Sequence, residues 1–187
     1  MSNFKIYKTG ISGLMIIEPV IFKDNRGFFL ETYNRNAFKK IGLNNSFVQD
    51  NHSHSSIGVL RGLHMQKKHP QGKLVRVLKG KVYDVAVDTR KNSDTFGKWY
   101  GILLSDENMK MFYIPEGFLH GFLVLSEEAD FTYKCTDFYY PEDEDGVVWN
   151  DAFLNIKWPI TDSKDIILSE KDRQLKSFTQ FAKEHYH

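Results

Sequence analysis

Polar and apolar side chains alternate through the middle of the chain, and this pattern predicts one short β-strand after another. The predicted strands are Lys73 to Leu78, Lys81 to Asp88, Trp99 to Leu104, Met109 to Pro115, His120 to Ser126 and Phe131 to Tyr140. Only Lys79-Gly80 separates the first two, which predicts a β-hairpin with a short glycine-containing turn. Short strands at this spacing, with polar turns between them, are typical of a β-sandwich or barrel.

Helical patterns occur toward the two ends of the chain. Asn36 to Ile41 predicts a short helix that ends at Gly42. The segment Ser169-Glu170-Lys171-Asp172 resembles a helix N-cap with an acidic residue three positions on. After it, apolar residues at helical spacing predict one amphipathic face, made of Leu175, Phe178, Phe181 and Ala182. The sequence thus predicts an all-β fold, a β-sandwich or jelly roll with short peripheral helices.

The composition fits a single globular domain that spans residues 1–187. Hydrophobic residues make up 41% of the chain and aromatic residues 14%, which is enough for a sizeable core. Lys and Arg together number 25 and Asp and Glu 24. A chain with this balance lacks the excess of positive charge that is typical of proteins that bind nucleic acid or an anionic membrane. Basic residues can still cluster locally around one anionic ligand.

The chain contains a single cysteine, Cys135, so it cannot form an intrachain disulfide. This fits a reducing cytoplasm. The segment from Met1 to Tyr7 lacks the apolar core of a signal peptide. No uncharged run approaches the roughly 20 residues that a membrane-spanning helix needs. We therefore expect a cytoplasmic protein that does not bind membranes.

His64 is the first candidate for chemistry. In a strand, residues of equal parity share a face, so His64 lies with Leu60 and Gly62 while Arg61 points the other way. A β-bulge, most naturally at Gly62, would bring Arg61 and His64 into one pocket. The alternative is a core histidine whose ring hydrogen-bonds a backbone carbonyl.

Tyr133 and Lys73 are the next candidates. Tyr133 shares a strand face with the apolar Phe131 and Cys135, so its hydroxyl either is satisfied within the core or acts as a proton donor. Lys73 lies on the apolar parity of its strand, where an unpaired ammonium is costly and calls for an anionic partner. Alternatively, its stem extends along the surface to water. A histidine, a tyrosine and a lysine together suggest proton transfer next to a carbonyl.

His120 ends the pattern Pro115-Glu116-Gly117-Phe118-Leu119-His120, which resembles the second motif of the cupin superfamily. A cupin metal site also needs a His-x-His and a glutamate in the first motif, where this chain offers His64 alone. The second motif has Val124 in place of the usual asparagine. One histidine from each motif is too few ligands for a transition metal. His52-Ser53-His54 has the right spacing but lies in a polar stretch, so we expect it on a strand or loop surface and predict no metal or cofactor.

Taken in order along the chain, many segments resemble the dTDP-4-dehydrorhamnose 3,5-epimerase family, which consists of isomerases with a cupin-type jelly roll. The similarity covers nearly the whole chain. The clearest segments are Asp24-Asn25-Arg26-Gly27-Phe28-Phe29-Leu30-Glu31, Phe47-Val48-Gln49-Asp50-Asn51, Val59-Leu60-Arg61-Gly62-Leu63-His64, Gln71-Gly72-Lys73-Leu74-Val75-Arg76, Ile114-Pro115-Glu116-Gly117-Phe118, Trp149-Asn150-Asp151 and Leu168-Ser169-Glu170-Lys171-Asp172. One departure is Met65 where phenylalanine is usual, and we expect it to alter packing only.

The resemblance implies a role for each matching position. His64 corresponds to the general base and Tyr133 to the general acid on the opposite side of the sugar. Asp172 corresponds to the carboxylate that holds the histidine, and Lys73 to the lysine near the ketone oxygen. Tyr139 corresponds to the aromatic residue that stacks on thymine. The remaining substrate-contacting positions are Arg26, Glu31, Gln49, Asp50, Asn51, Arg61, His120, Glu144 and Lys171.

The resemblance also implies a reaction and an assembly. The reaction inverts C3 and C5 of dTDP-4-keto-6-deoxy-D-glucose through an enolate, without metal, on the route to dTDP-L-rhamnose and surface polysaccharide. The assembly is a homodimer in which N-terminal residues such as Arg26 and Glu31 complete the partner's site. Alternatives are a 3- or 5-mono-epimerase, a sugar-nucleotide 3,4-ketoisomerase, a non-catalytic sugar-binding cupin and a metal-dependent cupin oxygenase.

Overall fold

The computed structural model describes residues 3–160 and 166–186. Its strands are β1 (Phe4–Lys8), β2 (Met15–Pro19), β3 (Ile21–Asp24), β4 (Gly27–Leu30), β5 (Gln49–Ser56), β6 (Leu60–Gln66), β7 (Lys73–Lys79), β8 (Lys81–Asp88), β9 (Trp99–Ser105), β10 (Met111–Ile114), β11 (Phe118–Val124), β12 (Glu128–Cys135) and β13 (Glu144–Gly146). Its α-helices are α1 (Arg35–Lys40), α2 (Glu170–Arg173) and α3 (Phe178–Tyr186), and a 3₁₀ turn covers Pro141–Asp143.

The strands form two main antiparallel sheets. One has the order β1-β2-β10-β7-β12-β5 and the other the order β13-β6-β11-β8-β9, while β3 and β4 form a separate hairpin. The inner faces of the two main sheets share one core, in which Val75 and Phe131 of the first sheet join Ala86 and Phe122 of the second. The all-β jelly roll predicted from the alternating pattern is therefore confirmed.

Short helices and loops cover the outer faces. Trp158, Phe178 and Phe181 from the C-terminal part of the chain pack with Leu63 and Leu119 on the outside of the five-stranded sheet. On the outside of the six-stranded sheet, α1 buries Phe38 against Leu74 and Met111. Both layers bury apolar residues that alternate with the inward-facing set, as expected for strands covered on both faces.

The separate hairpin presents aromatic side chains to solvent. Phe22 on β3 and Phe28 and Phe29 on β4 are 52%, 59% and 69% exposed. Phe22 and Phe29 pair across the hairpin and lie on one face of it, whereas Phe28 lies on the other face. Arg26 lies at the tip of this hairpin, where it pairs with Asp24 at 2.6 Å.

The hairpin predicted for Lys73 to Asp88 is wrong. β7 pairs with β10 and β12, whereas β8 pairs with β9 and β11 in the other sheet. Gly80 turns the chain from one sheet to the other with a φ of 81°, and a Cβ there would lie 2.1 Å from the carbonyl oxygen of Glu128. Glycine is therefore required at the turn, although the turn does not join paired strands.

Two other expectations change in detail, and a third is confirmed. The strand predicted over Phe131 to Tyr140 is β12, which ends at Cys135 because the chain then leaves the sheet. The face predicted to include Leu175 is divided, because α2 ends at Arg173 and α3 begins at Phe178. The short helix before Gly42 is confirmed, and Asn34 caps it by accepting from two backbone amides. Among the described residues, no helix is long and apolar enough to cross a membrane.

Candidate active site

A pocket of about 570 Å³ opens between the two sheets. It brings together residues predicted from widely separated parts of the sequence. They are Arg61, His64, Lys73, His120, Tyr133, Tyr139, Glu144, Lys171 and Asp172. The strands β6 and β11 line it from one sheet and β7 and β12 from the other, so a ligand in the pocket would lie between two opposed walls.

A β-bulge places His64 in this pocket. His64 pairs with His120 and Arg61 pairs with Phe122, so three steps along β6 match two along β11. Gly62 adopts a φ of 113°, and a Cβ on it would lie 2.6 Å from the Cα of Gly121. The bulge expected at Gly62 is confirmed, and it lets both Arg61 and His64 line the same cavity.

Asp172 holds the His64 ring. Its Oδ1 lies 2.5 Å from His64 Nε2, and its side chain is almost fully buried. Helix α2 positions it, since the Ser169 hydroxyl caps the helix by accepting from the Asp172 amide at 3.1 Å. Burial tends to raise the pKa of Asp172, but the hydrogen bond and charge of His64 outweigh it and lower the pKa. Asp172 is therefore a carboxylate at neutral pH, able to orient the ring and stabilise its protonated form.

Glu144 connects the histidine to two further pocket residues. Its Oε1 lies 3.5 Å from His64 Nδ1 and 3.0 Å from Lys171 Nζ, and its Oε2 accepts from the Tyr139 hydroxyl at 2.5 Å. Burial opposes ionisation of Glu144, yet these hydrogen bonds lower its pKa. The bond to Glu144 raises the pKa of Tyr139 to about 12. The Tyr139 ring is 48% exposed, so one edge is fixed while its face remains open for stacking.

Tyr133 approaches from the opposite sheet. It lies on β12 beside Phe131, with ring centroids 6.0 Å apart, and its side chain lines the pocket. Burial raises the pKa of Tyr133, so its hydroxyl keeps the proton well above neutral pH. The inward orientation predicted from strand parity is confirmed.

Lys73 lies next to Tyr133. Its Nζ is 5.9 Å from the centre of the Tyr133 ring. Burial lowers the pKa of Lys73, and the nearby Cys135, Glu144 and Asp84 oppose the shift without forming a salt bridge to it among the described residues. A half-buried ammonium with no carboxylate partner among the described residues favours an anion or a developing negative charge in the pocket.

The His120 side chain forms a second histidine–carboxylate pair. Its Nε2 lies 2.9 Å and 3.0 Å from the two oxygens of Asp84, which is fully buried. The sequence interpretation assigned no role to Asp84. The sequence did indicate that Asp84 is buried. It shares strand parity with Val82 and Ala86, so its side chain points into the core with theirs.

Five predicted residues do not line the pocket. Gln49 and Asn51 lie nearby on β5, where Gln49 Oε1 accepts from the Tyr139 amide at 2.9 Å and Asn51 contacts Cys135 Sγ at 3.5 Å. Asp50 points to the other face and pairs with Lys134. The last two, Arg26 and Glu31, lie in the N-terminal region outside the pocket.

His52 and His54 lie on the surface, as expected. Both are exposed on β5, and both contact Asp130 Oδ1, at 3.2 Å and 3.0 Å. Across residues 3–160 and 166–186, no group of three or more His, Cys, Asp or Glu residues is arranged to hold a metal ion. The side chains that line the pocket are suited to acid–base chemistry.

A jelly roll that carries a histidine–carboxylate pair on one wall and a tyrosine and lysine on the other defines a cupin-type acid–base isomerase. The model of the dTDP-4-dehydrorhamnose 3,5-epimerase family matches residues 8–180, and the chain belongs to this family. The resemblance inferred from the sequence is therefore confirmed.

Individual relatives and solved structures also point to this family. The chain is 54% identical over 176 residues to the dTDP-4-dehydrorhamnose 3,5-epimerase of Methanothermobacter thermautotrophicus, covering 94% of this chain and 95% of the relative. The crystal structure of the Elizabethkingia anophelis enzyme is 54% identical, with a TM-score of 0.92, and the match covers 98% and 100% of the two chains. A dTDP-6-deoxy-D-glucose-3,5-epimerase from Legionella pneumophila, in complex with dTDP-4-keto-L-rhamnose, is 49% identical with a TM-score of 0.93, covering 97% and 96%.

Proposed function

We propose that this protein is a dTDP-4-dehydrorhamnose 3,5-epimerase. It inverts C3 and C5 of dTDP-4-keto-6-deoxy-D-glucose to give dTDP-4-keto-L-rhamnose, in the biosynthesis of dTDP-L-rhamnose for surface polysaccharide. One observation carries the proposal: the His64–Asp172 pair and the Tyr133 hydroxyl enter one pocket from opposite sheets. Inversion needs a base and an acid on opposite faces of the sugar, and the two walls provide them.

His64 is the base in this mechanism. The protons on C3 and C5 are both α to the C4 ketone, so removal of either one gives an enolate with its charge on O4. His64 Nε2 is bonded to Asp172, which leaves Nδ1 to accept the proton. An imidazole nitrogen that carries no proton can act as a base. Asp172 stabilises the imidazolium that forms.

Lys73 and Tyr133 act on the enolate. The Lys73 ammonium, which lines the pocket, stabilises the negative charge on O4. Tyr133 then donates its hydroxyl proton to the opposite face of the same carbon, which inverts the centre. The raised pKa of Tyr133 keeps that proton available until the enolate forms. Exchange with solvent returns a proton to Tyr133 and removes one from His64, so the site is ready for the second centre.

The other pocket residues bind the nucleotide sugar. Arg61 and Lys171 supply positive charge for the diphosphate, and the open face of Tyr139 stacks on thymine. Glu144 fixes Tyr139 and Lys171 relative to each other. His120 donates its Nε2 proton to Asp84, which leaves Nδ1 to accept a hydrogen bond from a sugar hydroxyl. Gln49 and Asn51 on the neighbouring strand complete the nucleotide-binding side, where Gln49 holds the Tyr139 backbone, whereas Asp50 faces away from this pocket.

The working unit is a homodimer in which each subunit completes its partner's site. Arg26 and Glu31 do not reach the pocket of their own chain. They lie on and just after a hairpin on which the exposed Phe22 and Phe29, paired on one face, provide an apolar contact surface. Docking of this hairpin on a second copy would bury those rings and deliver Arg26 and Glu31 to the other subunit's ligand.

Proton NMR in deuterated buffer tests the proposal. The protein is incubated with dTDP-4-keto-6-deoxy-D-glucose, and loss of the C3 and C5 proton signals is followed separately, together with the appearance of the inverted product. We expect deuterium at both carbons and inversion at both. Exchange and inversion at one carbon alone would assign the protein to the mono-epimerases, and movement of the ketone to C3 would assign it to the ketoisomerases.

Dependence on metal is tested in the same assay. Dialysis against a strong chelator should leave the rate unchanged, because the cupin positions around His64 lack the His-x-His and glutamate that a metal needs. Loss of activity that a single divalent ion restores would contradict the proposed acid–base mechanism.

A further inference from the structure

The hydroxyl of Ser53 has no hydrogen-bond partner. Its Oγ is buried, and it is the only buried side-chain nitrogen or oxygen left unpaired in the described part of the chain. Buried polar groups are nearly always paired, and leaving one unpaired destabilises the fold. An exception therefore requires an explanation, and a partner that arrives with a ligand is one.

Ser53 lines the proposed substrate pocket. It lies on β5 directly opposite Phe131, whose ring belongs to the core between the sheets. Residues paired across antiparallel strands point to the same face, so Ser53 faces inward. Its position on the wall that carries Tyr133 puts it on the side of the ligand opposite His64.

The two neighbours of Ser53 on this face differ from it. On one side, Asn51 pairs with Tyr133 across the strands and contacts Cys135 Sγ. On the other side, the Ser55 hydroxyl accepts two hydrogen bonds from the Arg61 guanidinium, at 3.0 Å and 3.1 Å. An unpaired hydroxyl is therefore particular to Ser53 and is not a general property of this strand.

We propose that Ser53 is a further substrate-binding residue and that its Oγ hydrogen-bonds the hydroxyl group on C2 of the sugar. The assignment rests on the proposed function. Tyr133 acts at C3 and C5, whereas Arg61 serves the diphosphate attached to C1. Ser53 lies on the strand between the positions associated with these two groups, and C2 lies between C1 and C3. A serine hydroxyl can donate to and accept from a sugar hydroxyl.

The test measures binding, so it does not depend on turnover. The unreactive dTDP-glucose and dTDP-2-deoxyglucose are titrated calorimetrically into the wild-type protein, Ser53→Ala and the control Ser56→Ala. Ser56 is exposed on the same strand and points to the other face. We expect Ser53→Ala to weaken dTDP-glucose binding about tenfold, the effect of one net hydrogen bond of about 1.4 kcal/mol, and to leave dTDP-2-deoxyglucose binding unchanged. Ser56→Ala should change neither.

Thermal denaturation without ligand separates binding from packing. Because Ser53→Ala removes an unpaired hydroxyl, its melting temperature should equal or exceed that of the wild type. Equal loss of affinity for both nucleotide sugars, no loss for either, or a lowered melting temperature with no selectivity would each overturn the assignment. The epimerisation assay on wild-type protein tests the proposed function independently, so failure of one does not imply failure of the other.

Discussion

His64 Nε2 lies 2.5 Å from Asp172 Oδ1, and the two residues are 108 positions apart in the chain. His64 lies on strand β6, and Asp172 lies on the short helix α2 near the C-terminal end. The ring's other nitrogen, Nδ1, has Glu144 at 3.5 Å. Asp172 thus determines which nitrogen carries the proton in the resting state, and so which nitrogen can act as a base.

Replacing Asp172 with asparagine should lower the epimerisation rate by about 10²–10⁴-fold. The amide can donate to Nε2 and favour the wrong tautomer, and it cannot stabilise the imidazolium. Deuterium exchange at C3 and C5 should fall in parallel, since proton removal is the step affected. The control is Glu170→Gln, which removes an exposed carboxylate from the same helix. A rate for Asp172→Asn within threefold of the control would contradict the proposed role.

Tyr133→Phe should separate proton removal from proton return. The ring and its packing on Phe131 are kept, so stability should barely change. His64 should still exchange substrate protons with deuterated solvent, while inverted product forms at most about 10⁻²-fold as fast. NMR distinguishes exchange with retention from exchange with inversion.

The control for this variant is Tyr100→Phe, which alters a tyrosine packed at the edge of the same core. It should epimerise at the wild-type rate. Wild-type inversion by Tyr133→Phe would show that Tyr133 serves packing only and that another group returns the proton.

If each active site takes residues from both subunits of the dimer, activity should return when two inactive variants are mixed. The first variant is Arg26→Ala/Glu31→Ala and the second is His64→Ala. Random exchange of subunits makes half of the dimers mixed, and each mixed dimer has one intact site, so about a quarter of the wild-type activity should return. Lys23→Ala, an exposed change on the same hairpin, is the matched control and should be active alone. Failure of the exchanged mixture to regain activity would place Arg26 and Glu31 outside the partner's site.

Asp88 should make folding stability depend on pH in the acid range. Burial disfavours its charge, but hydrogen bonds from Arg90, Ser93 and Thr95 outweigh this and lower the pKa of Asp88 to about 2. A carboxyl whose folded pKa is lowered adds stability above its unfolded pKa, near 3.9, and loses it as pH falls toward 2. The contribution at neutral pH is about 2 kcal/mol.

Chemical denaturation of Asp88→Asn tests this dependence. The difference in unfolding free energy from the wild type should be largest at pH 7 and should shrink between pH 4 and pH 2. The control is Asp94→Asn, an exposed carboxylate in the same loop, which should show no such trend. A difference that stays constant from pH 7 to pH 2 would mean that the side chain stabilises the loop without its charge.

Strand parity and the family resemblance predicted much of the site, and each provided a different part of it. Alternation alone placed Tyr133 inward and required a bulge at Gly62 if Arg61 and His64 were to meet. Alternation could not predict which strands pair with each other, because a strand with a given inward face can pair with several neighbours. For that reason β7 and β8 were expected to pair, whereas Gly80 sends them to different sheets.

Asp84 shows why the remaining contacts could not be predicted. Parity marked it as inward-facing, but its partner His120 lies on a strand 36 positions away in the chain. Only the register of β8 against β11 brings the two side chains together. The pairing of Asp172 with His64 also depends on tertiary structure, because it forms only where α2 packs beside β6, and without the family resemblance no local pattern indicates it.

Asp172 lies on α2, far along the chain from His64, and this separation affects when the two residues can meet during folding. During synthesis, the strand that holds His64 emerges long before α2 and the residues that seal the outside of the five-stranded sheet. Until α2 docks, the imidazole Nε2 lacks its partner Asp172, and Glu144 beside Nδ1 is the carboxylate that remains near the ring. In the proposed mechanism His64 needs Asp172, so turnover reports the fraction of molecules in which α2 is docked.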